Sequence, residues 1–134
     1  MSRNISVLIV EDNHIDAHIT DCILKNTDQR IKTIICSNGE NALQFLGEHK
    51  DNLPDFILLD INMPIMDGKE FLKIKSTMPE LKDLPVIMLS SSGLSNEKVE
   101  CIELGAVSFI EKPISKEIIL ENVQLRSILG EPVK

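Results

Sequence analysis

Phe56-Ile57-Leu58-Leu59-Asp60 is an unbroken apolar run closed by a carboxylate. A strand with one wet face alternates polar and apolar residues, whereas a continuous run needs cover on both faces, as in a parallel sheet with helices above and below. Four other stretches read the same way: Ile5 to Val10, Ile31 to Cys36, Val86 to Leu89 and Val107 to Ile110. All are predicted as buried parallel strands. Parallel neighbours cannot be joined by a tight turn, so the intervening segments should cross over as helices. The first puts Ile15, Ile19, Cys22 and Ile23 on a face predicted to turn inward, with His14, His18, Asp21 and Lys25 on another. A second helix, near Glu40 to Glu48, follows Asn38-Gly39. A third, near Lys69 to Met78, opens at Asp67-Gly68 and is closed by Pro79. Ser95 is predicted to cap a fourth that ends at Gly105, and Ser115 a fifth that ends near Leu129-Gly130. The result is five β-α units in a three-layer α/β sandwich.

Composition narrows the function. The 134 residues fit one domain, 1–134, with a core from 5 to 129 and no room for an attached output domain; only Glu131 to Lys134 reads as a loose end. Fourteen Lys and Arg against twenty-one Asp and Glu give a net charge of −7, which disfavours binding to nucleic acid or an anionic membrane. Four Phe with no Trp or Tyr cannot build an aromatic platform for bases. The N-terminus carries no secretory signal and no run of about 18 apolar residues follows, so a cytoplasmic protein is expected. Cys22, Cys36 and Cys101 lack metal-like spacing, sit in apolar periodic segments and read as buried reduced thiols.

In open α/β sheets ligands bind beyond the carboxyl ends of the strands. Those ends carry Glu11-Asp12, Asp60, Ser90-Ser91 and Lys112-Pro113. Carboxylates gathered at one edge repel by about 4 kcal/mol per pair at about 4 Å and an effective dielectric of about 20. Lys112 supplies one compensating charge, and a hard cation such as Mg²⁺ would supply two more. Asp60, on the middle run, can then act as a nucleophile toward a phosphoryl group, with Lys112 and the Ser90 hydroxyl on its oxygens. Each residue alone has a plainer reading: an acidic pair near a helix N-terminus, a loop-capping Asp, a turn serine, a surface lysine. Their conjunction at four strand ends favours chemistry.

The sequence resembles a receiver domain of the two-component response regulators from Ile5 to about Leu129. The likeness rests on Glu11-Asp12, on Leu58-Leu59-Asp60-Ile61-Asn62-Met63-Pro64-Ile65-Met66-Asp67-Gly68, on Ser90, and on Gly105-Ala106 through Phe109-Ile110-Glu111-Lys112-Pro113. It implies a flavodoxin-like five-stranded sheet of order 2-1-3-4-5 with five helices. It also implies Asp60 as phosphoacceptor in a Mg²⁺-dependent reaction, with Mn²⁺ as a substitute ion. Asp12 would be a direct ligand with Asp60, Glu11 a ligand through water, and Asn62 a ligand through its carbonyl. Ser90 and Lys112 would hold the phosphoryl oxygens, a cis peptide would precede Pro113, and Ser91 and Asn62 would tune the phosphorylated lifetime. Phe109 would be the switch aromatic, altering a surface made of the fourth helix, fifth strand and fifth helix.

The implied donor is a sensor histidine kinase or a histidine phosphotransfer protein, and the implied output is an effector protein that this switch controls by contact. A relay intermediate is the alternative. Glu11, Ser90 and Phe109 stand where Asp, Thr and Tyr are more frequent in the family. A flavodoxin-like FMN protein is disfavoured because Glu11-Asp12-Asn13 would repel a phosphate after the first strand. A phosphatase with an aspartyl nucleophile is disfavoured because Asp60 is followed at two residues by Asn62, not an acid. His14 and His18 have a metal-capable i, i+4 spacing, but without an HExxH pattern they read as a solvated face. That face is expected to meet the phosphodonor's helices. Met63 and Met66 read as loop packing.

Overall fold

The computed structural model describes residues 4–61, 63, 66–91 and 95–130. The chain runs β1 (Ile5–Val10), α1 (His14–Thr27), β2 (Ile31–Cys36), α2 (Gly39–Glu48), β3 (Phe56–Asp60), α3 (Gly68–Ser76), β4 (Val86–Ser90), α4 (Ser95–Glu103), β5 (Ser108–Glu111), α5 (Lys116–Glu121) and α6 (Val123–Leu129). The strands form one parallel sheet in the order β2-β1-β3-β4-β5, as the resemblance implied. β3 and β4 are buried along their whole length, and β1 nearly so, which is what their unbroken apolar runs require.

Alternate residues of these strands feed two cores. Leu8, Val10, Ile57, Leu59, Val86 and Met88 pack with Ala42 and Leu46 of α2, Phe71 and Leu72 of α3 and Cys101 of α4. Val7, Ile9, Phe56, Leu58, Ile87 and Leu89 pack with Leu24 of α1, Ile119 of α5, and Leu125 and Leu129 of α6. Each such side chain contributes about 1.5–3 kcal/mol on full burial, so the central strands fix the domain. Among the described residues no helix is long and apolar enough to cross a membrane.

Several expectations need correction. β2 and β5 lie at the sheet edges, leaving Ile34 and Ile35 partly exposed, so neither strand is covered on both faces. α1 turns Ala17, Thr20 and Leu24 inward, while Ile15 is 72% and Ile19 46% exposed. Polar anchors set that rotation: Thr33 Oγ1 donates to Asp21 Oδ1 at 2.6 Å, and Asp16 Oδ2 lies 3.5 Å from Lys112 Nζ. Only Cys101 is buried; Cys36 is partly buried and Cys22 is exposed.

The expected fifth helix is two helices, making six. Asn122 is extended between them (φ −74°, ψ 117°); its Oδ1 accepts from Leu125 N at 3.0 Å and its Nδ2 donates to Ser108 Oγ at 3.0 Å. An Asn that satisfies itself this way competes with the helical ladder and restarts it. Helix α3 stops at Ser76, before Met78, where the Ser76 and Thr77 hydroxyls donate to the carbonyls of Lys73 and Ile74, each at 2.7 Å. Ser95 is the first residue of α4 and not the residue before it.

The turn from α1 to β2 is tied to the end of α6. Arg30 donates to both carboxylate oxygens of Asp28, with the closest contact at 2.6 Å, and its Nη2 also donates to the Leu129 carbonyl at 2.8 Å. The hydrogen bonds from Arg30 outweigh partial burial and hold the Asp28 carboxyl below its ordinary value. A depressed carboxyl contributes stability that is full above the unfolded value, about 3.9, and fades as pH falls through the folded one. Urea unfolding of Asp28→Asn should therefore show a deficit against wild type at neutral pH that shrinks below about pH 4. A pH-independent deficit would assign the loss to packing instead.

Candidate functional site

The parallel sheet delivers four chain segments to one edge. β1 ends at Val10, and the Glu11 N–H continues its pairing by donating to the Cys36 carbonyl at 3.0 Å. That holds Glu11 inside, 2% exposed, while Asp12 turns outward. Asp60 closes β3 at 6% exposure and Ser90 closes β4 fully buried. Beyond β5 the Lys112 N–H donates to the Ser90 carbonyl at 2.7 Å, and the Lys112–Pro113 peptide is cis.

Glu11, Asp12 and Asp60 each bring a carboxylate oxygen within 4.8 Å of the others. The Lys112 ammonium donates to Glu11 Oε1 and lies 3.5 Å from both Asp60 Oδ2 and Asp16 Oδ2. Burial pushes the Glu11 carboxyl up, a hydrogen bond to Asp60 and that residue's charge push it further, and Lys112 pulls against them. Burial pulls the Lys112 ammonium down, but its bond to Glu11 and the charges of Asp60, Glu11 and Asp16 more than restore it, leaving it above its ordinary value. One lysine therefore offsets the carboxylates only in part. The donor set is all carboxylate oxygen, partly open through Asp12, which suits a hard divalent cation keeping some of its water.

The structure brings together Glu11, Asp12, Asp60 and Lys112, and it places Ser90 on the neighbouring strand end. Asn62 lies outside the described residues. Ser91 is exposed and lines a cavity of about 290 Å³ with Asp16, Ile19, Thr20, Lys112 and Pro113. Phe109 is partly buried against the core on the α2–α4 side. Met63 is buried and Met66 packs against the same core, as read from the sequence. A larger cavity of about 610 Å³, between the end of α1 and helices α5 and α6, includes none of these residues.

Sequence reading missed Asp16. In the first turn of α1 it looks like a carboxylate complementing the helix dipole, and only the packing of α1 reveals its approach to Lys112. Gly68, a helix opener and the end of the motif around Asp60, packs against the backbone of Asp60 and Ile61. Its N–H donates to the Ile61 carbonyl at 3.0 Å, and a Cβ there would lie 2.9 Å from Ile61 Cα, 3.0 Å from the Asp60 carbonyl oxygen and 2.8 Å from Met88 Cε.

Comparison with known proteins assigns the family and the fold. The family model described as response regulator receiver domain matches residues 7–124. A protein-glutamate methylesterase/protein-glutamine glutaminase of Bacillus licheniformis is 38% identical over 132 residues, covering 96% of this chain but only 35% of that protein. The two-component response regulator ARR17 of Arabidopsis thaliana is 34% identical over 123 residues, covering 85% of this chain and 79% of the plant protein. Among solved structures, the Mn²⁺-bound form of response regulator Rcp1 superposes with a TM-score of 0.70 at 28% identity, covering 93% of this chain and 89% of that one.

Gly68→Ala should be destabilising even though Ala is the better helix residue by roughly 0.5–1 kcal/mol. Two of the three close neighbours are backbone and cannot step aside, so a net loss of about 1–3 kcal/mol is expected in urea unfolding. An unchanged or raised midpoint would show that the loop after Asp60 can yield.

Proposed function

Because the chain belongs to the response regulator receiver-domain family, we propose that Asp60 accepts a phosphoryl group from the phosphohistidine of a sensor histidine kinase or a histidine phosphotransfer protein. The observation that carries the proposal is the convergence of Glu11, Asp12, Asp60 and Lys112 at the carboxyl edge of the sheet. In the transfer a carboxylate oxygen of Asp60 attacks phosphorus, a P–O bond forms and the P–N bond breaks. The electron pair goes to the donor ring nitrogen, and the proton already carried by the other ring nitrogen of the phosphohistidine lets the imidazole leave neutral.

Lys112, held between Glu11 and Asp16, is within reach of Asp60 and pairs with a phosphoryl oxygen as charge accumulates there. The Ser90 hydroxyl donates to a second oxygen. Glu11, Asp12 and Asp60 would hold Mg²⁺, or Mn²⁺ in its place, with the Asn62 carbonyl as the further ligand that the family resemblance implies, and the Mn²⁺-bound relative supports that reading. The ion supplies the positive charge that a dianionic phosphoryl group needs before it can approach three carboxylates. Ser91, exposed just after β4, would help set how readily water reaches the product, the role the family resemblance implies for it and for Asn62.

The output is a change of surface and not turnover of an external substrate. Ser90 moving toward the phosphoryl group and Phe109 turning inward would re-form the face of α4, β5 and α5, where Val99 and Ile102 already stand 54% and 43% exposed. An effector protein that reads this face completes the pathway, in the cytoplasm and without nucleic acid or membrane contact by this domain.

Incubation with Mg²⁺ and acetyl phosphate or a phosphorylated kinase should add one phosphoryl group by intact mass, and Asp60→Asn should add none. The same addition in Asp60→Asn would overturn the assignment. Mg²⁺ should also raise the thermal midpoint, by the equivalent of about 2.7 kcal/mol at a hundredfold excess over its dissociation constant. Asp12→Asn should reduce that gain.

A further inference from the structure

Asp16 takes no part in the proposed transfer beyond its approach to Lys112. Its Oδ2 lies 3.5 Å from the Lys112 ammonium, the same separation as Asp60 Oδ2, so both carboxylates stand against one side chain. Glu11 and Asp60 are buried, whereas the Asp16 side chain is 44% exposed. It also lines the cavity of about 290 Å³ that includes Lys112, Ser91 and Pro113. Asp16 is therefore the negative charge on the solvent side of Lys112, where an arriving donor meets it. We propose that Asp16 selects the phosphodonor, favouring a phosphoryl group carried on an imidazole ring over one carried on a carboxylate; this inference rests on Asp60 being the phosphoacceptor.

The two donor classes differ in the group that leaves. In transfer from a phosphoimidazole, an Asp60 oxygen bonds to phosphorus, the P–N bond breaks and its electron pair goes to the ring nitrogen. The other ring nitrogen already carries a proton, so the ring is cationic before transfer and leaves neutral. In transfer from an acyl phosphate, the P–O bond to the acyl group breaks and its pair goes to a carboxylate oxygen, which leaves as an anion. A fixed negative charge beside the site can accept a hydrogen bond from the ring N–H, and it repels the departing carboxylate. The phosphoryl part is common to both donors, so its own repulsion by Asp16 cancels in the comparison.

The position of Asp16 is built into the first turn of α1. Its N–H donates to Asn13 Oδ1 at 3.0 Å, which fixes the backbone, and its carboxylate is left for Lys112. Ala17 and Thr20 are buried, so the helix rotation that turns them inward also carries Asp16 toward the end of β5. Lys112 does not depend on Asp16 for its place. Its N–H donates to the Ser90 carbonyl at 2.7 Å and its ammonium to Glu11 Oε1. Removing the Asp16 charge therefore leaves the cation in the site and changes what the donor's leaving group faces.

The test compares two small donors, phosphoimidazole and acetyl phosphate, on the full-length protein with saturating Mg²⁺, following phosphorylation by intact mass. Asp16→Asn should slow transfer from phosphoimidazole and speed transfer from acetyl phosphate, each by about two- to fivefold, the scale of a partly exposed charge pair. The ratio of the two rate constants should thus fall by roughly tenfold, and Asp16→Glu should retain most of the wild-type ratio. A merely structural contribution, in which the substitution only loosens Lys112, changes both rates in one direction by a common factor. Parallel changes, unchanged rates or a ratio that rises would overturn donor selection by Asp16 and leave Asp60 as phosphoacceptor. Wild-type protein that takes a phosphoryl group from neither donor would overturn the phosphoacceptor reading and this one with it.

Discussion

The placement of one ammonium among three carboxylates organises the site. Lys112 reaches Glu11, Asp16 and Asp60, which come from the end of β1, the first turn of α1 and the end of β3. Its own backbone is pinned to β4 through the Ser90 carbonyl. Five segments therefore meet through a single charge, and each must be in register for the meeting to occur. A buried carboxylate pair without that charge would be strongly destabilising. With it, burial and the neighbouring Asp60 still leave the Glu11 carboxyl above its ordinary value. The sheet holds the carboxylates close enough to need a cation, and the apolar packing of β1, β3 and β4 supplies the rigidity that keeps them there.

That division explains what could be read from sequence. Buried parallel strands announce themselves because nothing polar is tolerated on either face, so Phe56 to Leu59 and Val86 to Leu89 were legible as runs, and the groups just after them as strand-end residues. The rotation of α1 was not legible. Its sequence offers two apolar stripes, and hydropathy alone favours Ile15, Ile19 and Cys22. The choice falls instead to Ala17, Thr20 and Leu24 because Asp16 and Asp21 find partners on Lys112 and Thr33, residues distant in the chain. The break at Asn122 was hidden for a similar reason. An Asn within a helical pattern becomes a stop only when a partner such as Ser108 Oγ fixes its side chain.

The same rotation accounts for the character of the α1 surface. Turning Ala17 inward sends Ile15, Ile19, His14, His18 and Cys22 outward together. The thiol expected in the core is for that reason on the solvent side next to an imidazole, while Ala17 and Leu24 take the buried positions. Burial of Ile15 and Ile19 would have contributed about 1.5–3 kcal/mol each. A partner helix docked on this face would recover some of that apolar burial on binding.

How a charge at Asp60 would be felt on the opposite side of β4 also follows from the register. Asp60 pairs with Leu89, Ser90 with Glu111, and Met88 with Phe109. Gly68 lies close to Met88, whose backbone pairs with Leu59 of β3 on one side and Phe109 of β5 on the other. A displacement at Ser90 has little room to dissipate in the close-packed interior and must pass to β5 or α4. α4 leaves much of its outer face open to solvent. Val99 and Ile102 face solvent, the Lys69–Glu100 ion pair at 2.8 Å is half-exposed, and Glu97 Oε2 is buried with no hydrogen-bond partner among the described residues. A displacement at Ser90 would thus meet a helix whose outer face holds exposed apolar side chains and a half-exposed ion pair, so this face can change without unpacking the core.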